Sequence, residues 1–127
     1  MDDIFEKKLV EELVQELHDR EFLTDDLAFP RHVDPNSSIS YMGICQFYDE
    51  THHRIDIKYY PQDQYAFAVL YFTGSDMFNR WMRCCAMKKG YCLSDHGMHR
   101  ADKIGGKTVT FGEKIVCLKE EDIFKFL

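Results

Sequence analysis

The 127-residue sequence lacks any run of about 18 apolar residues, so it predicts no membrane-spanning helix and no membrane partner. It also lacks the basic, then apolar, N-terminal pattern of a signal peptide, because it opens with Asp2-Asp3 and an amphipathic segment. The five cysteines are odd in number and include no Cys-x-x-Cys pair. We therefore expect reduced thiols and an intracellular, reducing location.

Basic residues are scarce overall, with 16 Lys and Arg against 22 Asp and Glu and a net charge of −6. The imbalance is uneven along the chain. Residues 1–50 hold 4 basic and 13 acidic residues, whereas residues 51–107 hold 9 basic and 5 acidic residues, a net of +4. Because local potential steers a polyanion, the basic segment is where a nucleic-acid partner would be expected.

A hydrophobic content of 45% is enough for one compact domain or two small lobes. Apolar residues at three-to-four spacing predict a helix over residues 2–22 with a single apolar stripe. Prolines and serines predict a loop over 24–37, and β-branched and aromatic residues predict a hairpin of two strands over 39–48 and 54–60.

The second half of the chain predicts a different mixture of elements. An apolar face predicts a buried helix over 62–73, which Gly74 breaks, and Ser75 or Asp76 is expected to cap a second helix that runs to about residue 89. Short strands are expected over 91–118, and a last helix over 119–127. The fold class predicted is therefore α+β.

The pentapeptide Arg54-Ile-Asp-Ile-Lys58 is the first segment that could carry chemistry. Strand side chains alternate between faces, so Ile55 and Ile57 should point to a core while Arg54, Asp56 and Lys58 point the other way. An ionised carboxylate held between cations is a suitable Mg²⁺ ligand and proton acceptor. Taken alone, the same pattern is more typical of a solvated strand face with weak ion pairs.

The segment from Tyr71 to Arg83 is the second segment that could carry chemistry. Tyr71 and Phe72 precede a Thr-Gly-Ser bend, and aromatic rings beside a bend can pack under a sugar or a base. On the helix that follows, asparagine and arginine side chains share a polar face and could hydrogen-bond minor-groove edges or phosphates. Taken alone, the bend is more typical of a helix corner packed in a core, and the polar face is more typical of a solvated helix surface.

Taken together and in order, the segments within residues 54–100 closely resemble the DNA polymerase X family, especially its β- and λ-like repair polymerases. The run Tyr-Phe-Thr-Gly-Ser (71–75) is highly specific to that family, and weaker similarity extends over nearly the whole chain. The resemblance implies the end of a polymerase palm over 1–62, with an N-terminal helix on part of an antiparallel sheet. A nucleotide-selecting lobe over 63–127 would follow, with helices and a short antiparallel sheet.

The resemblance also implies roles for particular residues in a template-directed DNA polymerase, a nucleotidyltransferase of DNA repair, including base excision repair, in the nucleus. Asp56 would be the third catalytic carboxylate, binding Mg²⁺ beside the primer 3′ hydroxyl, with Arg54 near the primer-terminal phosphate. Gly74 would be joined to Ser75 by a cis peptide bond. The incoming deoxynucleotide would be bound by Tyr71, Phe72, Gly74, Asp76 and Asn79, and the template strand of the primer–template DNA by Arg80 and Arg83.

The chain departs from the family pattern in its metal ligands. The family's Asp-x-Asp strand is absent, and the adjacent pairs Asp2-Asp3 and Asp25-Asp26 would face opposite sides of any strand. The Gly-Ser triphosphate motif and the final Tyr-Arg-Glu-Pro segment are also absent. We therefore expect an incomplete Mg²⁺ site and no polymerase activity from this chain alone. Lys58 and Asp95 stand where the β enzyme has arginine and glutamate, and could still pair.

Other readings of the sequence stay open. A non-catalytic nucleic-acid or protein-binding module derived from a polymerase lobe is the main alternative, and an unrelated soluble α+β domain is another. Cys92, His96 and His99 could belong to a zinc site, although their spacing is loose and a fourth ligand is undefined. Dimerisation through an exposed sheet edge is a further expectation.

Overall fold

The computed structural model describes residues 2–29 and 39–127, which form two compact units, residues 1–59 (unit 1) and 60–127 (unit 2). The elements of unit 1 are α1 (Asp2–Asp19), β1 (Leu23–Ala28), β2 (Ile39–Cys45) and β3 (His53–Tyr59). Those of unit 2 are α2 (Gln62–Thr73), α3 (Asp76–Lys88), β4 (Tyr91–Ser94), β5 (Gly97–Ile104), β6 (Lys107–Phe111) and α4 (Glu120–Phe124). The α+β class is as predicted.

Helix α1 covers one face of the unit 1 sheet, but only with part of its apolar surface. Val10 and Val14 are buried in the core of unit 1, whereas Phe5, Leu9 and Leu13 are exposed. Only part of the predicted apolar stripe therefore faces the core of unit 1. The helix also ends three residues before the predicted position 22.

The sheet of unit 1 is antiparallel with the order β1-β2-β3, so it has one strand more than the predicted hairpin. Residues 24–28, predicted as loop, belong to β1, whose pairing with β2 is interrupted by two register shifts. Asp25-Asp26 was a reason to predict a loop, but strand pairing with β2 overrides the local preference of aspartate. The rest of that predicted loop, residues 30–38, lies outside the described residues.

A polar clamp lies at the edge of the unit 1 core, where Tyr41 is buried and Asp26 is exposed. The Tyr41 ring lies over Gly43, where an added Cβ would come within 2.6 Å of the ring carbon Cζ, so only glycine leaves room for it. Tyr41 Oη donates a hydrogen bond to the carboxylate of Asp26, which is also 2.7 Å from His18 Nε2. The bond from Tyr41, followed by that from His18, holds the pKa of Asp26 below its ordinary value. This clamp ties β1 to β2 and α1.

Unit 2 begins with the two helices that the sequence predicts, α2 at the predicted bounds and α3 one residue short of its expected end. They pack on the β4-β5-β6 sheet around a core that includes Phe67, Leu70, Met82 and Met98. Helix α4 was predicted over 119–127 but spans only Glu120–Phe124. Ile123 on α4 is fully buried and closes the core. No described helix of the chain has the length and apolar character needed to cross a membrane.

Candidate nucleotide and nucleic-acid site

Asp56 lies on the face of the unit 1 sheet opposite helix α1. Ile55 and Ile57 pack against the core, while Asp56 stays exposed, as the alternation of the strand predicts. Its partner across the sheet is Met42 on β2, and Arg54 is two residues away on the same face. The register of β2 against β3 therefore sets where this carboxylate points.

Arg54 forms an ion pair with Asp56. Its Nε donates a hydrogen bond to Asp56 Oδ1 at 3.1 Å, and its Nη2 is 3.1 Å from the sulfur of Met42. The ion pair is largely solvated, because 42% of the Asp56 side chain remains exposed. Its contribution to stability is therefore small, and its effect is to orient the carboxylate.

A divalent metal would find only part of a site in this chain. Magnesium prefers several oxygen ligands in octahedral geometry. Within residues 2–29 and 39–127, no group of three or more histidine, cysteine, aspartate or glutamate side chains lies close enough to hold an ion. The residues present therefore do not by themselves fit Mg²⁺, and Asp56 could supply only one ligand. The same observation gives no support to zinc binding by Cys92, His96 and His99.

The bend between α2 and α3 is the second part of the candidate site, and it lies in unit 2. The Gly74–Ser75 peptide bond is cis, as the family resemblance implies. Gly74 has a φ of 66°, which favours glycine over residues with a side chain. Ser75 begins α3, because its Oγ accepts a hydrogen bond from the Phe78 backbone N–H at 3.3 Å.

Asn79 fastens the end of α2 to the first turn of α3. Its Nδ2 donates a hydrogen bond to the Tyr71 backbone oxygen at 2.8 Å. As a result Tyr71, Asn79 and Arg83 line one pocket on the surface of unit 2, together with Phe67, Leu70, Met82, Leu93 and Ser94. The pocket is shallow, with a volume of about 20 Å³, and its accessible lining is almost entirely apolar, so it offers an apolar surface beside the bend on which a flat ring could pack.

The other predicted residues of unit 2 lie near the bend but do not line that pocket. Asp76 Oδ2 is paired with Arg80 Nη2 at 3.0 Å within the first turn of α3. Phe72 is 54% exposed, and its ring packs edge-on against Tyr71 with centroids 5.0 Å apart. Of the predicted residues of unit 2, Tyr71, Asn79 and Arg83 thus line the pocket. Asp76 and Arg80 instead form an exposed ion pair.

A polar network lies at the start of α2. Tyr60 Oη donates to Asp95 Oδ2 at 2.6 Å, and His96 Nδ1 is 3.0 Å from Gln64 Oε1. The sequence suggested instead that Asp95 pairs with Lys58, which belongs to unit 1. That pairing stays a prediction. The hydrogen bond from Tyr60 to Asp95 was not predicted from the sequence.

The chain matches two family models, the first over its N-terminal half and the second over its C-terminal half. Residues 2–62 match the DNA polymerase beta palm, and residues 68–127 match the DNA polymerase beta thumb. The chain belongs to the DNA polymerase X family. Asp56 lies within the palm match of this family, and the bend with Asn79 lies within the thumb match.

Two curated members of the family illustrate the similarity. The chain is 37% identical over 119 residues to DNA polymerase lambda of Rattus norvegicus, a match that covers 91% of this chain and 20% of the relative. It is 32% identical over 127 residues to DNA polymerase lambda of Arabidopsis thaliana, covering 95% of this chain and 24% of the relative. The chain therefore spans about a fifth to a quarter of the length of these relatives.

Sequence reasoning missed some of the residues that shape the pocket. Leu93 and Ser94 line it from β4, and no local pattern indicates that this strand reaches the bend. The contact between Asn79 and the Tyr71 carbonyl joins residues eight positions apart across a chain reversal. Helical spacing predicts contacts within a helix and is silent about contacts across a bend.

Proposed function

We propose that this chain supplies the third metal-binding carboxylate and the nucleotide-selecting lobe of a template-directed DNA repair polymerase that acts in the nucleus. The observation that carries the proposal is the pocket at the α2–α3 bend, where Asn79 and Arg83 lie beside the anchored Tyr71 backbone. In this proposal the base of an incoming deoxynucleotide packs on the apolar surface beside the bend, and Asn79 lies at its minor-groove edge.

The anchored Tyr71 backbone has a further role in this proposal. Because Asn79 fixes the Tyr71 carbonyl, the backbone there cannot easily withdraw from a sugar placed beside it. A 2′-hydroxyl would meet this fixed backbone, whereas a deoxyribose would not, which favours deoxynucleotides. Phe72 and Asp76 border the sugar and base, and Gly74 allows the bend that brings them there.

Asp56 is proposed to bind catalytic Mg²⁺ together with carboxylates that this chain does not contain. Arg54 orients Asp56 through the 3.1 Å ion pair and is placed to approach the primer-terminal phosphate, while Arg80 and Arg83 take the template strand. On this proposal the chain alone has no polymerase activity.

The test is a chimera in which this chain replaces the matching segment of rat DNA polymerase lambda. We expect Mg²⁺-dependent primer extension, and a loss on the order of a thousandfold on Asp56→Ala, comparable with removal of one electrostatic catalytic group. Asp49→Ala, an exposed change in the β2–β3 turn, should leave activity intact. Extension by this chain alone that depends on Asp56 would refute the incomplete-site proposal. Equal activity of the Asp56→Ala and Asp49→Ala chimeras would refute the role of Asp56.

Self-association is a separate expectation about this chain. Strand β3 is at the edge of its three-stranded sheet, and edge strands carry backbone groups that can pair with another chain. Dimerisation through this sheet edge stays a prediction. It would require a second copy of the chain whose strand pairs with β3. The comparisons with relatives bear only on the polymerase family.

A further inference from the structure

The sheet of unit 2 carries an aromatic and basic row that the nucleotide pocket does not use. Tyr91 on β4 pairs with Arg100 on β5, and Arg100 pairs with Phe111 on β6. Residues directly opposite one another on antiparallel strands project to the same face of a sheet. Arg100 therefore lies between two aromatic residues in a row across all three strands. We call Tyr91, Arg100 and Phe111 the cross-strand row.

The row borders a concave surface rather than a flat one. The groove has a volume of about 350 Å³, is open to solvent, and is also lined by Lys89, Gly90, Ala101 and Asp102. Phe111 is 52% exposed, so much of its ring is accessible from the groove. Tyr91 is half-buried, and its ring packs edge-on against Phe126 with centroids 5.9 Å apart. One aromatic residue of the row is thus held in place and the other is available for stacking.

Neither cation of the groove has an ion-pair partner among the described residues. Among the described residues of unit 2, the Lys and Arg ion pairs engage Arg80, Lys114 and Lys125, and none engages Lys89 or Arg100. The acid that lines the groove, Asp102, accepts a hydrogen bond from the backbone of the next residue on its own strand at 2.7 Å. The groove therefore presents two cations and one carboxylate, a net charge of +1, beside an exposed aromatic ring.

We propose that this groove binds single-stranded nucleic acid. Lys89 and Arg100 would contact phosphates, and a base would stack on Phe111. Stacking on an aromatic side chain beside a basic groove is how proteins hold single strands without reading their sequence. An acidic peptide would satisfy the cations but would leave the exposed ring without a flat partner, so the combination favours a nucleic acid.

In the polymerase proposed above, the single strand would be an unpaired stretch of the DNA substrate. The identity of that strand rests on the proposed function. The binding surface itself is distinct from the pocket at the bend, because the two share no lining residue. The inference can therefore fail or succeed independently of the polymerase role.

The primary test titrates this chain into a fluorescein-labelled single-stranded oligonucleotide at low salt and follows fluorescence anisotropy. Arg100→Glu should weaken binding about tenfold and flatten the salt dependence of log K by about 0.7 for each lost phosphate contact. Lys103→Glu is the matched control, since it makes the same charge change three positions along β5, at a residue that projects to the other face. It should weaken binding less than about twofold.

The aromatic part of the proposal has its own test. Phe111→Ala should weaken binding about fivefold or more, in line with the loss of one base stack. Phe47→Ala, which removes another exposed ring in unit 1, should not change it. An oligonucleotide made of abasic sites should bind the native chain as weakly as the normal oligonucleotide binds Phe111→Ala.

Three results would overturn the proposal. These are the absence of low-salt binding by the native chain, equal effects of Arg100→Glu and Lys103→Glu, and an acidic peptide of equal charge that binds at least as tightly as the oligonucleotide. Asp49→Ala, in the β2–β3 turn of unit 1, should bind the oligonucleotide like the native chain. An inactive chimera with intact Phe111-dependent binding would therefore count against the polymerase role alone.

Discussion

Units 1 and 2 position their candidate functional residues by different means. In unit 1, Asp56 stands on a sheet face, and the register of β2 against β3 decides where it points. In unit 2, Tyr71 and Asn79 are brought together by a chain reversal, which a side chain-to-backbone hydrogen bond closes. A sheet residue is thus placed by many shared backbone bonds, whereas the bend depends on a few specific contacts.

The cores of the two units differ in a related way. The core of unit 2 is apolar and includes Phe67, Met98 and Ile123, which are all nearly inaccessible. The core of unit 1 combines apolar packing with the clamp of Tyr41 and Asp26. We therefore expect unit 2 to respond mainly to changes in packing, and unit 1 to respond also to pH.

The largest expected effect is on the core of unit 2. Phe67→Ala should lower its free energy of unfolding by about 3–5 kcal/mol, because it removes a buried ring and leaves a cavity. Urea unfolding can be followed by the fluorescence of Trp81, the only tryptophan of the chain, which lies in unit 2. Phe72→Ala, at an exposed ring on the same helix, is the control and should cost less than half as much. Equal losses would show that Phe67 is not central to this core.

A smaller effect is expected at Gly43 in unit 1. Gly43→Ala forces a Cβ against the Tyr41 ring, and overpacking of this kind typically costs about 1–3 kcal/mol. Gly105→Ala is the matched change in the β5–β6 turn, where no atom lies within 4 Å of the added Cβ and only backbone strain opposes it. Circular dichroism during urea unfolding should show the larger loss for Gly43→Ala. The reverse order would mean that the Tyr41 ring moves aside freely.

The smallest expected effect concerns how the stability of unit 1 depends on pH. Tyr41→Phe should cost about 1 kcal/mol at neutral pH through the lost hydrogen bond to Asp26. Because the folded state lowers the pKa of Asp26, its contribution is present above the ordinary value of 3.8 and is lost as pH falls through the lower, folded pKa. The variant should therefore lose less stability than the native chain on acidification.

The measurement for this comparison is the urea midpoint between neutral pH and about pH 3, below the ordinary pKa of aspartate. Tyr48→Phe, at a tyrosine that is 81% exposed, is the matched control and should follow the native profile. If Tyr41→Phe and the native chain lose stability in parallel on acidification, the clamp is not the source of the pH dependence.

Part of the candidate site was predictable because it depends on the periodicity of side chains within short segments of the sequence. The alternation of residues 54–58 placed Asp56 opposite Ile55 and Ile57, and the structure confirms it. The helix–bend–helix around Gly74 was also predicted, because a glycine between two helical patterns is a strong local signal. The roles of these residues in binding DNA and nucleotide stay predictions.

Other features were not predictable from local patterns. Residues 24–28 are rich in aspartate and prefer turns, yet they form β1 because β2 offers backbone partners from positions far along the chain. The apolar surface of α1 indicated a helix but not how much of that surface would be covered. Both outcomes depend on which element packs against which, and a single segment carries no information about its neighbours.

By itself the sequence determined the periodic elements and the order of the family segments, since side-chain spacing and backbone preference act within a few residues. Only the tertiary structure decided that Asn79 holds the Tyr71 carbonyl, that Tyr41 lies over Gly43, and that Tyr91, Arg100 and Phe111 share a row. Each of these contacts joins groups through a bend, a strand register or a close approach. Their geometry is set by the packing of whole elements, which local preference does not specify.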